Sequence, residues 1–95
     1  MQYIVFTKDK DEGLSIRQSN REAHLNWLKN STDVTLLTAG PWLDDEGIMR
    51  GSLLIVEAMS KSDVLTWLKS DPYALAGLPK EVTVKAFKWA IGAPT

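Results

Sequence analysis

The hydrophobic and polar positions of this chain follow two different periods, and each change of period marks a new structural element. Four segments combine β-branched and aromatic residues with a repeat of two, which is typical of strands. They cover residues 2–7, 34–39, 51–58 and 81–89. The stretch from Gly40 to Gly51 separates the second segment from the third, and its glycines, proline and acidic residues predict a loop.

Two other segments repeat their apolar residues every three or four positions, as helices do. The first covers residues 15–30 with Ser15 as its predicted N-cap, and the second opens at Ser60 and ends near Ser70. Because Pro72 disfavours the α region at the residue before it, Asp71 is expected to end this helix and to cap a short turn after it. The first helix also carries a stripe of residues spaced four, three and four apart, which therefore share one face. The members of this stripe are Arg17, Arg21, His24 and Leu28.

The element order βαββαβ predicts a ferredoxin-like α+β fold, in which two helices cover one face of an antiparallel four-stranded sheet. The uncovered face of such a sheet is normally polar at every second position. Residues 3–6 and 53–56 are instead apolar on both sides of their strands. We therefore expect a homodimer in which two sheets pack together as a dimeric α+β barrel. Residues 1–95 are expected to form one domain, with a loosely ordered tail at 90–95.

Composition and charge narrow the range of functions. The formal net charge of −1 and the pI near 5.7 provide no basic surface for nucleic acid or for an anionic membrane. The chain has no cysteine, which excludes disulfides and a thiolate nucleophile and fits a cytoplasmic location. Apolar runs stay far below the roughly 20 residues of a membrane span. Neither a GxGxxG or phosphate-binding motif nor a metal-binding pattern occurs, so we expect no cofactor and no metal.

Proton transfer is the chemistry that the titratable residues suggest. His24 is the single histidine, and an imidazole suits proton transfer near neutral pH, although a boundary position on a helix would also explain it. Asp71 has a structural explanation as a helix cap, but a carboxylate beside an imidazole would fix its tautomer and orient its ring. The two residues lie far apart in sequence, so their spacing leaves a contact between them undecided.

Other polar and aromatic residues are open to two interpretations. Arg17 and Arg21 either hold an anionic oxygen by charge-assisted hydrogen bonds or belong to a solvated helix face. Ser52 either lines a pocket or is an ordinary strand serine, which is the simpler explanation. The four tryptophans suit a small core or an aromatic ligand pocket. A GxSxG motif is absent, which argues against a serine hydrolase triad.

Taken together, several stretches of the chain resemble the YCII (YciI-like) family. They run in the family's order over nearly the whole sequence, and their combination is more specific than any one of them. The stretches are Arg17 with Arg21-Glu22-Ala23-His24-Leu25, Leu36-Leu37-Thr38-Ala39-Gly40-Pro41, Gly51-Ser52, Asp71-Pro72-Tyr73 with Ala76-Gly77, and Val82-Thr83-Val84-Lys85 with Phe87-Lys88.

This resemblance implies a dimeric ferredoxin-like α+β barrel and a His–Asp dyad, which falls on His24 and Asp71. Related proteins isomerise lactones or remove chloride from a chlorinated hydroxyhydroquinone. The resemblance therefore implies a cofactor-independent lyase that acts on a small cyclic intermediate of aromatic degradation. The alternatives are a lactone isomerase and a non-catalytic dimeric protein that binds a small ligand.

In this hypothesis the remaining candidate residues bind substrate. Arg17 or Arg21 would steady a developing oxyanion, and Ser52 would line the pocket. Trp42 and Tyr73 would stack on the substrate ring. The segment 42–50 departs from the family pattern and is expected to border the pocket.

Overall fold

The computed structural model describes residues 1–93 and shows a four-stranded sheet covered by helices. Its elements are β1 (Gln2–Asp9), α1 (Leu14–Asn30), β2 (Thr35–Leu43), β3 (Met49–Glu57), α2 (Lys61–Leu68), α3 (Pro72–Leu75) and β4 (Pro79–Phe87). The strand order is β2-β3-β1-β4, and each neighbouring pair is antiparallel. The predicted ferredoxin-like α+β fold is confirmed.

The hairpin between β2 and β3 is tighter than the sequence suggested. β2 continues through Gly40 and Pro41 to Leu43, so the loop predicted for 40–51 shrinks to residues 44–48. A proline is tolerated here because β2 is an edge strand, where a missing N–H donor leaves no partner unsatisfied. Asp44 organises the turn: its carboxylate accepts hydrogen bonds from the N–H groups of Glu46 and Ile48 and pairs with Arg50 at 2.8 Å.

Helix α1 begins without the predicted serine cap. Gly13 is its N-cap and Ser15 already lies inside the helix, so the assignment of Ser15 as N-cap is wrong. A β-carbon at position 13 would lie 2.8 Å from Lys10 O and 2.9 Å from Leu78 Cδ1, so close packing around this turn favours glycine.

The other two predicted caps are present. Ser60 Oγ accepts the N–H of Asp63 at the start of α2, and Asp71 accepts the N–H of Tyr73 at the start of α3.

Residues 90–93 lie outside any helix or strand, and 94–95, the remainder of the predicted tail, lie outside the described residues.

The core lies between the sheet and the helices. It is built from side chains on one face of the strands together with the inner faces of α1 and α2. Its buried members are Tyr3, Val5, Leu28, Val34, Leu54, Val56, Ala58, Val64, Trp67 and Val84. The rings of Trp27 and Trp67 stack at 4.2 Å and hold the ends of α1 and α2 together.

The opposite face of the sheet is also apolar. Ile4 pairs with Ile55 and Phe6 with Leu53 on the side away from Val5 and Leu54. Phe6 is 42 % exposed. The chain itself therefore leaves an apolar surface on this face that α1 and α2 do not cover. Across residues 1–93, no helix combines the length and apolarity that a membrane crossing requires.

Candidate active site

Helix α1 turns polar side chains, rather than a purely apolar stripe, towards the sheet. Arg17, His24 and Leu28 are its buried residues, whereas Ala23 is exposed. Arg17 and His24 are seven positions apart, which is two helical turns, so both side chains project from the same face. Arg21 lies between them on this face and is exposed.

His24 and Asp71 are in direct contact. The imidazole Nδ1 lies 2.8 Å from Asp71 Oδ1, and both residues are buried. A carboxylate at Nδ1 favours the tautomer that carries its proton there, because the N–H can then donate to the acid. In that tautomer the other ring nitrogen, Nε2, keeps its lone pair, and it makes no hydrogen bond within residues 1–93.

Asp71 is held in place by the start of α3. Its Oδ1 also accepts the backbone N–H of Tyr73 at 2.9 Å, and Pro72 occupies the first helical position. The fixed φ of proline suits that position. The cap and the imidazole contact therefore use the same carboxylate oxygen, so one local turn both ends α2 and aims the acid at His24.

The ring of Tyr73 packs against the imidazole of His24. The two ring centroids lie 3.9 Å apart, and the ring planes differ by 12°. Burial raises the pKa of the Tyr73 phenol, and the nearby charges of Arg17 and Arg21 oppose that rise only in part. Tyr73 therefore remains a neutral phenol near neutral pH.

A buried ion pair lies beside this group. Arg17 donates from Nε to Asp9 Oδ2 at 2.8 Å and from Nη2 to Asp9 Oδ1 at 3.0 Å. The same Nη2 donates to Ser52 Oγ at 2.9 Å. The guanidinium carbon lies 4.8 Å from the centroid of the Tyr73 ring. Arg17 is therefore bound to protein groups through both of these nitrogens.

Asp9 is the residue of this site that the sequence interpretation missed. The first strand was expected to end at residue 7, but β1 extends to Asp9. Asp9 follows Tyr3, Val5 and Thr7 at a spacing of two, which places it on the face that the helices cover. The sequence therefore contained a signal for Asp9. If the alternation of buried positions in β1 continues to residue 9, a carboxylate becomes buried, and a buried carboxylate requires a partner.

A cavity of about 140 Å³ opens beside these residues. A space of roughly this size accommodates a single aromatic ring, since an apolar cavity of about 150 Å³ binds benzene. The cavity is lined by Arg17, Arg21, His24, Leu25, Leu28, Ala39, Gly40, Pro41, Met49, Ser52, Leu54 and Tyr73. None of these is acidic, and Arg21 forms no ion pair within the described part of the chain.

Trp42 is the one candidate that the fold places elsewhere. Its ring stacks on Phe6 at 5.5 Å, on the far side of the sheet, and it does not line this cavity. Its Nε1 donates to Thr7 O at 2.7 Å. Gly51 makes this possible, because a β-carbon there would lie 2.0 Å from both Trp42 Nε1 and Thr7 O. Of the segment 42–50, Met49 does border the cavity.

Gly51 and Ser52 therefore each have a structural role, one on each face of the sheet. Gly51 leaves room for the Trp42 indole on one face. Ser52 points to the other face, where its hydroxyl accepts a hydrogen bond from Arg17.

Among residues 1–93, no group of three or more His, Asp or Glu side chains is arranged to hold a metal ion.

The fold and this site are those of a ferredoxin-like α+β protein with a small cavity, lined by both polar and apolar residues, between its first helix and its sheet. The chain belongs to the YCII-related domain family, whose model matches residues 1–88. It is 39% identical over 95 residues to Protein YciI of Escherichia coli O6:H1, covering 93% of this chain and 97% of that protein. It is 37% identical to an uncharacterized protein of Haemophilus influenzae, with the same coverage.

Solved structures agree with this assignment. The chain superposes on 5-chloro-2-hydroxyhydroquinone dehydrochlorinase (TftG) from Burkholderia phenoliruptrix AC1100, in complex with 2,5-dihydroxybenzoquinone, with a TM-score of 0.82. The two chains are 32% identical, and the match covers 93% of this chain and 94% of the other. A putative antibiotic biosynthesis monooxygenase from Bacteroides thetaiotaomicron shares the fold alone, with a TM-score of 0.59 at 11% identity over 96% of this chain and 90% of that one.

Proposed function

We propose that this chain is a cofactor-independent lyase in which His24, oriented by Asp71, removes a proton from a small cyclic substrate. The observation that carries the proposal is the 2.8 Å contact between His24 Nδ1 and Asp71 Oδ1 beside a cavity large enough for one ring. The similarity to the dehydrochlorinase supports a chlorinated hydroxyhydroquinone as the substrate class.

His24 is the general base in this proposal. With its proton held at Nδ1 by Asp71, the imidazole accepts a substrate proton at Nε2. The resulting imidazolium is stabilised because its Nδ1–H faces a carboxylate. An imidazole is suited to general-base chemistry on a phenolic proton.

The reaction balances without an oxidant or a reductant. One hydroxyl proton of the substrate passes to His24, which returns it to the ring carbon that bears chlorine. His24, neutral again, then accepts the proton of a second hydroxyl as the C–Cl bond breaks and chloride leaves with the bonding pair. The net change is loss of HCl and formation of a hydroxyquinone.

Arg21 is assigned the role of steadying the phenolate that forms when the proton leaves. Arg17 also lines the cavity, but its Nε and Nη2 already bind Asp9 and Ser52. Arg21 lines the cavity and is exposed, so its guanidinium is available to a ligand. A charge-assisted hydrogen bond to an oxyanion is stronger than a neutral one, which favours the ionised substrate.

The decisive experiment measures chloride release and quinone absorbance with a chlorinated hydroxyhydroquinone under anaerobic conditions, which prevent oxidation by air. General-base catalysis contributes about 10²–10⁴-fold in rate, so His24→Ala is expected to lose that much while remaining folded. His24→Asn keeps hydrogen bonding without the basicity and should be equally impaired.

Gln18→Ala is the matched control, because Gln18 is an exposed residue of the same helix. Near wild-type turnover in His24→Ala would refute the proposal. Quenching of tryptophan fluorescence by the substrate, with no chloride released by the wild-type protein, would instead identify a small-ligand-binding protein.

We further propose that the chain is a homodimer that buries the outer face of its sheet. The support is the apolar surface formed by Ile4, Phe6 and Leu53, which are half-buried or exposed and which the helices leave uncovered. Sedimentation equilibrium should give twice the chain mass of 10.6 kDa. Phe6→Lys should shift the equilibrium towards the monomer, whereas Lys8→Glu, on the same face but outside the apolar group, should not. A monomeric wild-type protein at micromolar concentration would contradict this proposal.

A further inference from the structure

The buried ion pair between Asp9 and Arg17 takes no part in the reaction proposed above. Both side chains are only 4 % exposed. Taking two charges out of water costs several kcal/mol per ion, and an apolar pair of similar volume is often as stable. Stability alone is therefore a weak explanation for these charges, and their contacts point to another role.

Arg17 connects this ion pair to Tyr73. The two bonds to Asp9 and the bond to Ser52 fix the plane of the guanidinium. Its central carbon lies 4.8 Å from the centroid of the Tyr73 ring, within the range of a cation–π contact. A guanidinium that cannot rotate restricts the aromatic ring packed against it.

Tyr73 in turn contacts both members of the His–Asp pair. Its ring stacks on the imidazole of His24 at 3.9 Å, and its backbone N–H donates to Asp71 Oδ1. The hydrogen bond between Asp71 and His24 holds one corner of the imidazole but tolerates a tilt of the ring. A ring stacked against the imidazole restrains that tilt.

We propose that Asp9 and Arg17 are positioning residues that act through the ring of Tyr73 to fix the plane of the His24 imidazole. The effect on rate rests on the function proposed above, whereas the effect on the imidazole does not. A misplacement of about 1 Å can cost about 10²-fold in rate, so replacement of the pair should lower kcat by that order with a smaller change in KM.

The test uses proton NMR of His24, which is unambiguous because the chain has one histidine. In the wild-type protein the ring current of Tyr73 should move the imidazole C–H resonances upfield. The double variant Asp9→Asn, Arg17→Gln removes both charges together and leaves no unpaired ion. We expect its imidazole resonances to move towards the positions of a free imidazole while the amide spectrum remains native.

Two variants of Tyr73 separate positioning from a general structural effect. Tyr73→Leu should reproduce the displacement of the imidazole resonances, because it removes the ring. Tyr73→Phe should keep them near the wild-type positions, because it keeps the ring. In the Tyr73→Leu background, replacement of Asp9 and Arg17 should cause no further displacement, since coupled residues are not additive.

Wild-type imidazole resonances in a folded double variant would overturn the proposal, as would additive displacements in the triple variant. If the double variant does not fold, Asp9→Asn alone decides, because the amide keeps one acceptor for Arg17 and loses the other, so Asp9 no longer holds the guanidinium through both Nε and Nη2. A displacement in the same direction supports the proposal, and an unchanged imidazole refutes it. Failure of His24→Ala to lose activity would refute the proposed function but not this result.

Discussion

The imidazole of His24 lies face to face with the ring of Tyr73, with 3.9 Å between their centroids. Arg17 also packs on that ring, with its guanidinium carbon 4.8 Å from the centroid. Tyr73 therefore packs against two protein groups beside the cavity that it lines, which supports the proposed role in orienting His24. Stacking on a substrate, the role expected from the sequence, stays a prediction.

Asp71 should be replaceable in the fold but not in the proposed reaction. Asn is as good an N-cap as Asp, so Asp71→Asn should melt near the wild-type temperature. The amide oxygen that keeps the cap can still accept from Nδ1, but without its negative charge residue 71 no longer stabilises the imidazolium. We expect kcat to lose a large part of the 10²–10⁴-fold general-base contribution. Asp63→Asn, in the first turn of α2, is the control, and an unchanged kcat in Asp71→Asn would contradict the role of the carboxylate.

Tyr73 should make the folded state sensitive to alkali. Burial raises the pKa of its phenol above the usual value, with the charges of Arg17 and Arg21 acting in the opposite direction. Because the folded pKa is higher than the unfolded one, the associated stability is present below the unfolded pKa and is lost as the pH rises through the folded pKa. Tyr73→Phe should lose less stability between neutral and strongly alkaline pH, measured as the melting temperature.

Absorbance at the phenolate band provides the direct check on Tyr73. The chain has two tyrosines, so the difference between the wild-type and Tyr73→Phe titrations isolates the ionisation of Tyr73, which should occur above the usual pKa of a phenol. A difference that appears at or below the usual pKa would show that burial does not dominate at this residue.

Gly51 should tolerate no side chain. A β-carbon there would meet the backbone oxygen of Thr7 at 2.0 Å, as well as the indole of Trp42. Gly51→Ala is expected to cost about 1–3 kcal/mol or more, as overpacking does. For a domain of this size, each kcal/mol corresponds to about 4–8 °C in melting temperature. Gly40→Ala is the matched control, since nothing lies within 4 Å of its added carbon; equal melting temperatures for the two variants would exclude the steric explanation.

Asp44 should contribute to the hairpin only when it is ionised. The hydrogen bond from Arg50, followed by that from the Ile48 N–H, holds the pKa of Asp44 below its usual value. Because the folded pKa is the lower one, this stability is present above the unfolded pKa and disappears as the pH falls through the folded pKa. Asp44→Asn should therefore lower the melting temperature at neutral pH and converge with the wild type in acid. Asp45→Asn, one residue along the same turn, should show no such convergence.

Much of the fold follows from local pattern. The period of two in the strands, the caps at Ser60 and Asp71 and the apolar character of both sides of β1 and β3 were all readable along the chain. The limits of the hairpin were not. Gly40 and Pro41 usually stop a strand, but they lie here on an edge strand, and strand order is a property of the whole sheet.

The amino-acid sequence by itself determined which residues can carry chemistry: one histidine, a stripe of arginines on its helix face and an aspartate that caps a turn. It also determined the family, through motifs spread over the chain. Only the tertiary structure decided which of them meet. It brought Asp71 to His24, committed Arg17 to Asp9, and placed Trp42 on the far side of the sheet. The physical reason is that hydrogen bonds and ring contacts act over a few ångströms between residues far apart in sequence, so they exist only after the sheet and helices have packed.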